Sequence, residues 1–460
     1  MKNVLLMIAD DMSYGDLFRS PHPAYGAMSK INSKFRVQGT VLQRYHCPST
    51  VCSPSRYGMI TGRDPVDDGI RSVIDGVLTY NDVVGMSASY PNLYRTFRDA
   101  GYRTGHFGKW HLGLDPSLTT VNGYGIDEAK GWAFPAPYAL VGQEFTTAWG
   151  AGSTAEKLYA YGQFDDLATT AAIQFMTDQT TPFFVNLSFH SPHAPVNPPI
   201  TSLQAVSNLA DLYGRSNPAQ LYYAAIHRLA YNVDRICTSI GPTVLANTIM
   251  IFTADNGGGI SHSAVNSADQ WGRARNYRGQ KGETGNGGVI VPFGIRGPGV
   301  PAGLDHSHAT VSGLDLPKTL CAMCGVPWVG AGPGEDRSAV FLGTDTDRTG
   351  VLHWLSIQGD AATLDRVHRF PAYRGYYPDK QISVYLNLNA QMEIEDLAVY
   401  DAGLDPSGIP VDPAEMQNLI LSDGVGDYIQ EVDELHSWAI GVGEITWIDP
   451  ASHGELSPDQ

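Results

Sequence analysis

Cysteine is scarce and odd in number. Five residues, at 47, 52, 237, 321 and 324 of a 460-residue chain, do not make a disulfide scaffold. Basic charge is also short. Thirty Lys and Arg against 47 Asp and Glu leave a net charge of −17, which argues against nucleic acid and anionic membrane surfaces as partners. A small anionic substrate stays admissible, because a pocket can be locally positive on a negative protein. No stretch reaches the ~18 consecutive apolar residues that a membrane span needs. The opening MKNVLLMIADD lacks the apolar length and small-residue cleavage site of a leader and ends in two aspartates, so it reads as a first strand. Repeats and low-complexity tracts are lacking too.

What is present is an ordinary globular composition, 43% hydrophobic and 10% aromatic, with 50 glycines that imply many turns. The length points to two unequal domains. Short apolar runs bounded by polar or Gly-rich turns read as buried parallel strands: 4–9, 183–189, 248–253 and, more weakly, 101–108. Helical segments fall between and after them at 91–100, 165–177, 218–239 and 314–324. That alternation predicts an α/β fold, a large mostly parallel (mixed) sheet flanked by helices. Beyond GTDTDRTG the character changes. VLHWLSI, FPAYRGYY and QISVYLNLN read as short antiparallel strands, with a helix near 413–422. The expected division is a catalytic domain over 1–345 and a smaller α+β domain with a short antiparallel sheet over 346–460. The pair in CAMC, Cys321 and Cys324, could be redox-active or half a metal site, but no second pair stands nearby. Buried thiols or a structural bridge fit its apolar helix better.

In parallel sheets, ligands bind beyond the carboxyl ends of the strands. Those ends carry Asp10 and Asp11, Asp255 and Asn256, His190 and His193, and Lys109 and His111. Taken alone, an Asp after a strand is a turn former, and His190 reads as a local structural residue. Together, the aspartates and the amide form an all-oxygen set suited to Ca²⁺ or Mg²⁺ and poor for zinc. The stretch CSPSRYGMITGR places Cys52 just outside a helix N-terminus, with Pro54 in the first turn and Arg56 one turn in. Such a place lowers a thiol's pKa and points first to a thiolate nucleophile. Soft sulfur is a mismatched partner for a hard, oxygen-bound cation, however, and an oxygen nucleophile would fit better.

Cys52-Ser53-Pro54-Ser55-Arg56, followed by Thr61-Gly62-Arg63, resembles the signature of the type I, formylglycine-dependent sulfatases of the alkaline phosphatase superfamily. NVLLMIADDMSYGDL, GYRTGHFGKWHLG, HSPHAP, IFTADNGG, YRGQKGETGNGGVIVPF and the closing VYDAGLDP with AEMQNLI resemble family segments in the same order. The resemblance implies that a formylglycine-generating maturation enzyme oxidises Cys52 to an aldehyde, whose hydrate supplies the oxygen nucleophile. It implies Ca²⁺ held by Asp10, Asp11, Asp255, Asn256 and the modified Cys52. It further implies that Arg56 holds the diol and that Lys109 and Lys281 grip the sulfate. His193 or Lys281 would assist the leaving alcohol, and His111 would be the base that collapses the sulfated intermediate.

The expected activity is hydrolysis of a sulfate ester, on a sulfated carbohydrate or a small aryl or alkyl sulfate. Trp132, Tyr138, Trp149, Tyr159 and Tyr161 could stack on sugar rings. Location follows from whether a leader was trimmed: periplasmic or extracellular if so, cytoplasmic otherwise. Two competing readings are a phosphate or phosphonate ester hydrolase of the same superfamily and a non-catalytic sulfate-binding relative.

The chain departs from the family pattern in two places. Asn286 and Ile290 replace the acidic and basic members of Glu-Gly-Gly-x-Arg-Val-Pro, a pair that would brace the loop bearing Lys281. GYYPDKQIS stands where Gly-Asp-Trp-Lys is common, near the expected substrate mouth.

Overall fold

The computed structural model describes residues 1–18, 28–74, 83, 85–115, 117–118, 121–132, 144–146, 155–157, 164–193, 198–207, 217–258, 277, 280–344, 348, 350–355, 372–377, 382–388, 394–401, 430–431, 434–435 and 437. Its centre is β1 (Asn3–Ala9), whose seven residues are all buried. Beside it run β7 (Phe183–Ser188), β3 (Arg103–Lys109) and β4 (Glu128–Trp132) on one side, and β8 (Thr248–Ala254) on the other. All five are parallel, with Leu5 opposite both Val185 and Met250. A strand apolar on both faces requires cover on both, which is why these runs do not alternate.

Two helices provide that cover around β3. Tyr94, from the Leu93–Asp99 helix, meets His106, whereas Phe175, from the Phe164–Thr177 helix, meets Phe107. Consecutive strand residues point to opposite faces, so the two helices lie on opposite sides of the sheet. Asn92 caps the first helix by accepting the Arg95 N–H. The expected helices 91–100, 165–177, 218–239 and 314–324 all form, trimmed or extended at their ends to Leu93–Asp99, Phe164–Thr177, Asn217–Ser239 and Leu316–Cys324.

Beyond β8 the sheet turns mixed. β9 (Phe293–Arg296) runs antiparallel between β8 and β2 (Thr40–His46), and β10 (Leu304–Ser312) pairs parallel with β2 at that edge. β5 (Glu144–Thr146) and β6 (Ala155–Lys157) complete a ten-stranded order β10-β2-β9-β8-β1-β7-β3-β4-β5-β6. A second, antiparallel sheet holds β11 (Leu352–Leu355), β12 (Ala372–Tyr377), β13 (Ile382–Leu388) and β14 (Ile394–Asp401) in sequence order. It has one strand more than the sequence pattern predicts. The helix expected near 413–422 lies outside the described residues.

The second sheet is tied to the first through buried groups. The Trp354 indole N–H donates to the Cys47 carbonyl at 2.8 Å, and Arg44 bonds the Tyr376 hydroxyl. All five cysteines are free thiols. Burial pushes the Cys321 thiol up to about 12 and that of Cys324 up to about 11, so neither is poised for redox chemistry at neutral pH.

Candidate active site

Because β8, β1, β7 and β3 are adjacent and parallel, their carboxyl ends converge on one spot, and the residues after each strand meet there. Asp10 and Asp11 follow β1. Asp11 takes a left-handed backbone at φ 61°, a conformation that costs a non-glycine residue ~1–3 kcal/mol and persists only when neighbours hold it. The holders come from the next strand end. The Asp255 carboxylate accepts the Asp11 N–H at 3.2 Å, and the Asn256 amide donates to Asp11 Oδ1 at 2.7 Å.

The helix Cys52–Thr61 points its start at the same carboxylates. Val51 is its N-cap in extended conformation and Gly62 closes it at φ 68°. Cys52 is therefore the first helical residue rather than lying just outside the helix. Its Sγ lies 3.4 Å from Asp10 Oδ1 and 3.9 Å from Asp11 Oδ1. The expected lowering of its pKa is overturned. Burial pushes the thiol well up, Asp10 and Asp255 add to that, and Lys109 and Lys281 only oppose it in part. A thiolate at neutral pH is thus disfavoured, which leaves room for the oxygen nucleophile that conversion of the residue would supply.

Three cations face the three carboxylates. Lys109, at the end of β3 and wholly buried, donates to Asp10 at 2.6 Å. Lys281 reaches both oxygens of Asp11, at 2.8 and 2.9 Å. Arg56 grips Asp255 through Nε at 2.8 Å and Nη2 at 2.7 Å, and lies 3.6 Å from Asp10. Burial alone would raise the Asp10 pKa, yet Lys109, His193, Arg56 and Lys281 hold it well below the carboxylate range. Ionised groups packed this closely are stable only as a fully paired set.

The histidines are uncharged at neutral pH. Burial, reinforced by Lys109 and Arg56, holds His111 far below its ordinary value; both of its ring nitrogens are buried without a hydrogen-bond partner. Burial lowers His193 to about 4, although its Nε2 lies 3.6 Å from Asp11. His190 is buried at ring distance 5.4 Å from His193, and its backbone N–H donates to Asp165 at 2.7 Å, consistent with a structural part.

One atom from each of Asp10, Asp11, Cys52 and His193 lies within 4.8 Å of the others, a spacing that could hold a metal ion. The oxygen donors, Asp10 and Asp11 with Asp255 and Asn256 beside them, fit a hard cation, whereas the Cys52 sulfur does not. The Asn256 side-chain oxygen Oδ1 is buried with no hydrogen-bond partner, as an oxygen donor facing a cation would be. Asp255 spends one oxygen on the Asp11 N–H and the other on Arg56, each oxygen keeping a second lone pair. The structure brings Asp10, Asp11, Cys52, Arg56, Lys109, His193, Asp255, Asn256 and Lys281 together, with His111 two residues beyond Lys109. Tyr138, Trp149, Tyr159, Tyr161 and the Trp132 side chain lie outside the described residues.

Several supporting groups carry no signal in the sequence. Ser55 donates its hydroxyl to the Asp255 carbonyl, from an inconspicuous position inside the CSPSR stretch. Asp165 accepts from the His190 and Ser191 N–H groups and so fixes the turn that carries His193. Ser13 accepts the Gly258 N–H, while Asp16 accepts from the Ser13 N–H and the Tyr222 hydroxyl. Burial pushes Asp16 up to about 7 against those two hydrogen bonds. A folded-state pKa above the unfolded value means that the native chain holds the extra proton. Stability therefore falls as pH rises from about 4 to about 7, by at most ~1.4 kcal/mol per unit, and is flat in this term above that. Asp16→Asn, which keeps the acceptor, is expected to flatten this slope in urea unfolding measured from pH 4 to 8.

Acidic strand tips on a mixed α/β sheet, a helix start aimed at them and buried lysines opposite thus form one compact, charge-balanced site. The sulfatase family model matches residues 2–326. The chain belongs to that family, the formylglycine-dependent sulfatases. It is 28% identical to arylsulfatase A of Bos taurus over 78% of this chain and 71% of that protein. It is 25% identical to N-acetylgalactosamine-6-sulfatase of Mus musculus over 73% of this chain and 64% of that one. Among solved structures, Ps i-CgsB in complex with k-i-k-neocarrahexaose superposes with TM-score 0.72 at 20% identity, covering 98% of this chain and 96% of that one.

Proposed function

We propose that this sulfatase cleaves sulfate esters of a carbohydrate, using formylglycine made from Cys52 by a maturation enzyme, beside Ca²⁺ held by Asp10, Asp11, Asp255 and Asn256. The observation that carries the reading is the placement of the Cys52 side chain 3.4 Å from Asp10, with Lys109 and Lys281 converging on the same carboxylates. Sulfated sugars are favoured as substrates because solved structures of similar fold include one with D-glucosamine-2-N,6-O-disulfate, and a curated relative is an N-acetylgalactosamine-6-sulfatase.

The cation would neutralise a sulfate oxygen and lower the pKa of a hydroxyl at position 52. The chain's own residues do the rest. Lys109 and Lys281 bind sulfate oxygens and stabilise the charge that develops on them. Arg56, anchored on Asp255, fixes the helix start and adds positive potential. His111, neutral and with both nitrogens unpartnered, accepts the proton released at position 52. His193 lines the edge where the alcohol leaves and, with Lys281, serves that oxygen.

Parallel assays on an aryl sulfate and an aryl phosphate, on protein whose Cys52 peptide has been weighed, test the proposal. Converted protein is expected to prefer the sulfate by about 100-fold or more. Equal or faster turnover of the phosphate would instead identify a phosphoryl hydrolase. No turnover of either ester by converted protein would favour a binding role.

A further inference from the structure

The loop that presents Lys281 runs on through Thr284 and Asn286 to Val289, and it is held from two sides. Its inner side is fixed by backbone bonds: the Lys281 N–H donates to the Gly258 carbonyl at 3.0 Å, and the Gly282 N–H to the Thr50 carbonyl at 2.9 Å. Those two acceptors flank Asn256 and Cys52, so the loop registers Lys281 against both. Its outer side faces the second sheet. There Arg374, on β12 and fully buried, donates to the Thr284 carbonyl at 2.8 Å and to the Asn286 side-chain oxygen at 2.7 Å.

We propose that Arg374 is a positioning residue for Lys281, bracing from the second sheet the loop that carries it. The guanidinium is itself anchored. It donates to Ser383 on β13 at 2.8 Å and lies 5.1 Å from the Trp354 ring centroid. Trp354 in turn bonds the Cys47 carbonyl, and the Cys47 N–H donates to Val289 at the far end of the same loop. A planar fork that spans a carbonyl and a carboxamide fixes orientation in a way that a single ammonium cannot. Asn286 fits this arrangement because it offers an acceptor without burying a second full charge.

The inference rests on the sulfate-binding part given to Lys281, but its first test does not. Hydrogen exchange on the full chain reads the brace directly. In Arg374→Gln, the Lys281 and Gly282 amides are expected to exchange at least about tenfold faster, while β1 and β8 amides keep their rates. Turnover of an aryl sulfate is expected to fall about 10- to 100-fold in kcat. In a Lys281→Ala background the same substitution is expected to do little more. Arg374→Lys, which keeps the charge and loses the fork, should fall between. Wild-type exchange at Lys281 and Gly282 in Arg374→Gln overturns the proposal, as does a kcat loss of full size in the Lys281→Ala background. Should Arg374→Gln not fold, Asn286→Ala, which removes one of the two bonds, carries the exchange test: faster exchange at the same two amides supports the brace, and unchanged exchange overturns it. If the unaltered chain cleaves no sulfate ester, the functional reading fails while the exchange result still decides the brace.

Discussion

Cys52→Ala is expected to lower kcat/KM for an aryl sulfate by at least ~10⁴-fold, the scale seen when a covalent nucleophile is removed. The fold should tolerate the change. The side chain is small, and its neighbours within hydrogen-bonding reach are carboxylates that already have Lys109 and Lys281 as partners. Thermal unfolding of the variant should therefore lie close to that of the parent, which separates loss of chemistry from loss of structure. Cys324→Ala, at a partly buried thiol on the Leu316–Cys324 helix, should leave kcat unchanged. A Cys52→Ala variant that keeps a tenth of the parent rate would remove this residue from the chemistry altogether.

Chelation is expected to have the second large effect. Dialysis against EDTA should bring aryl sulfate turnover to background, with Ca²⁺ restoring it and Zn²⁺ doing so poorly, because the donors are hard oxygens. The stripped protein should stay folded, because three cations already face the three carboxylates. Refilling should add ~2.7 kcal/mol to unfolding stability at a Ca²⁺ concentration 100 times its Kd. Undiminished turnover after exhaustive chelation, verified by elemental analysis, would exclude the cation from the reaction.

The catalytic half of the fold is legible in the sequence because its central strands are apolar on both faces and end in polar turns, a pattern that Val4–Ala9 and Phe183–Ser188 display plainly. β2, β9 and β10 are not. TVLQRYH and LDHSHATVS mix polar and apolar residues, since Arg44, His46 and Thr310 meet Tyr376 of the second sheet, and FGIR is only four residues long. The site residues stand out by their position after strands and by family pattern. The protonation state of Cys52 differs from the sequence expectation for a physical reason: helix-end position favours a thiolate, but complete burial beside carboxylates outweighs it. Arg374 is invisible in the sequence, because its partners are a backbone carbonyl and an amide some 90 positions away in the chain.

The mutual cancellation of Asp10, Asp11 and Asp255 by Arg56, Lys109 and Lys281 has a consequence for how substrate is captured. A divalent ion added to a self-neutralised nest leaves an uncompensated surplus that only an incoming anion relieves. The outside of the molecule, at −17, repels that same anion over roughly a Debye length. Capture of a sulfate ester then depends on contacts inside the site rather than on long-range attraction.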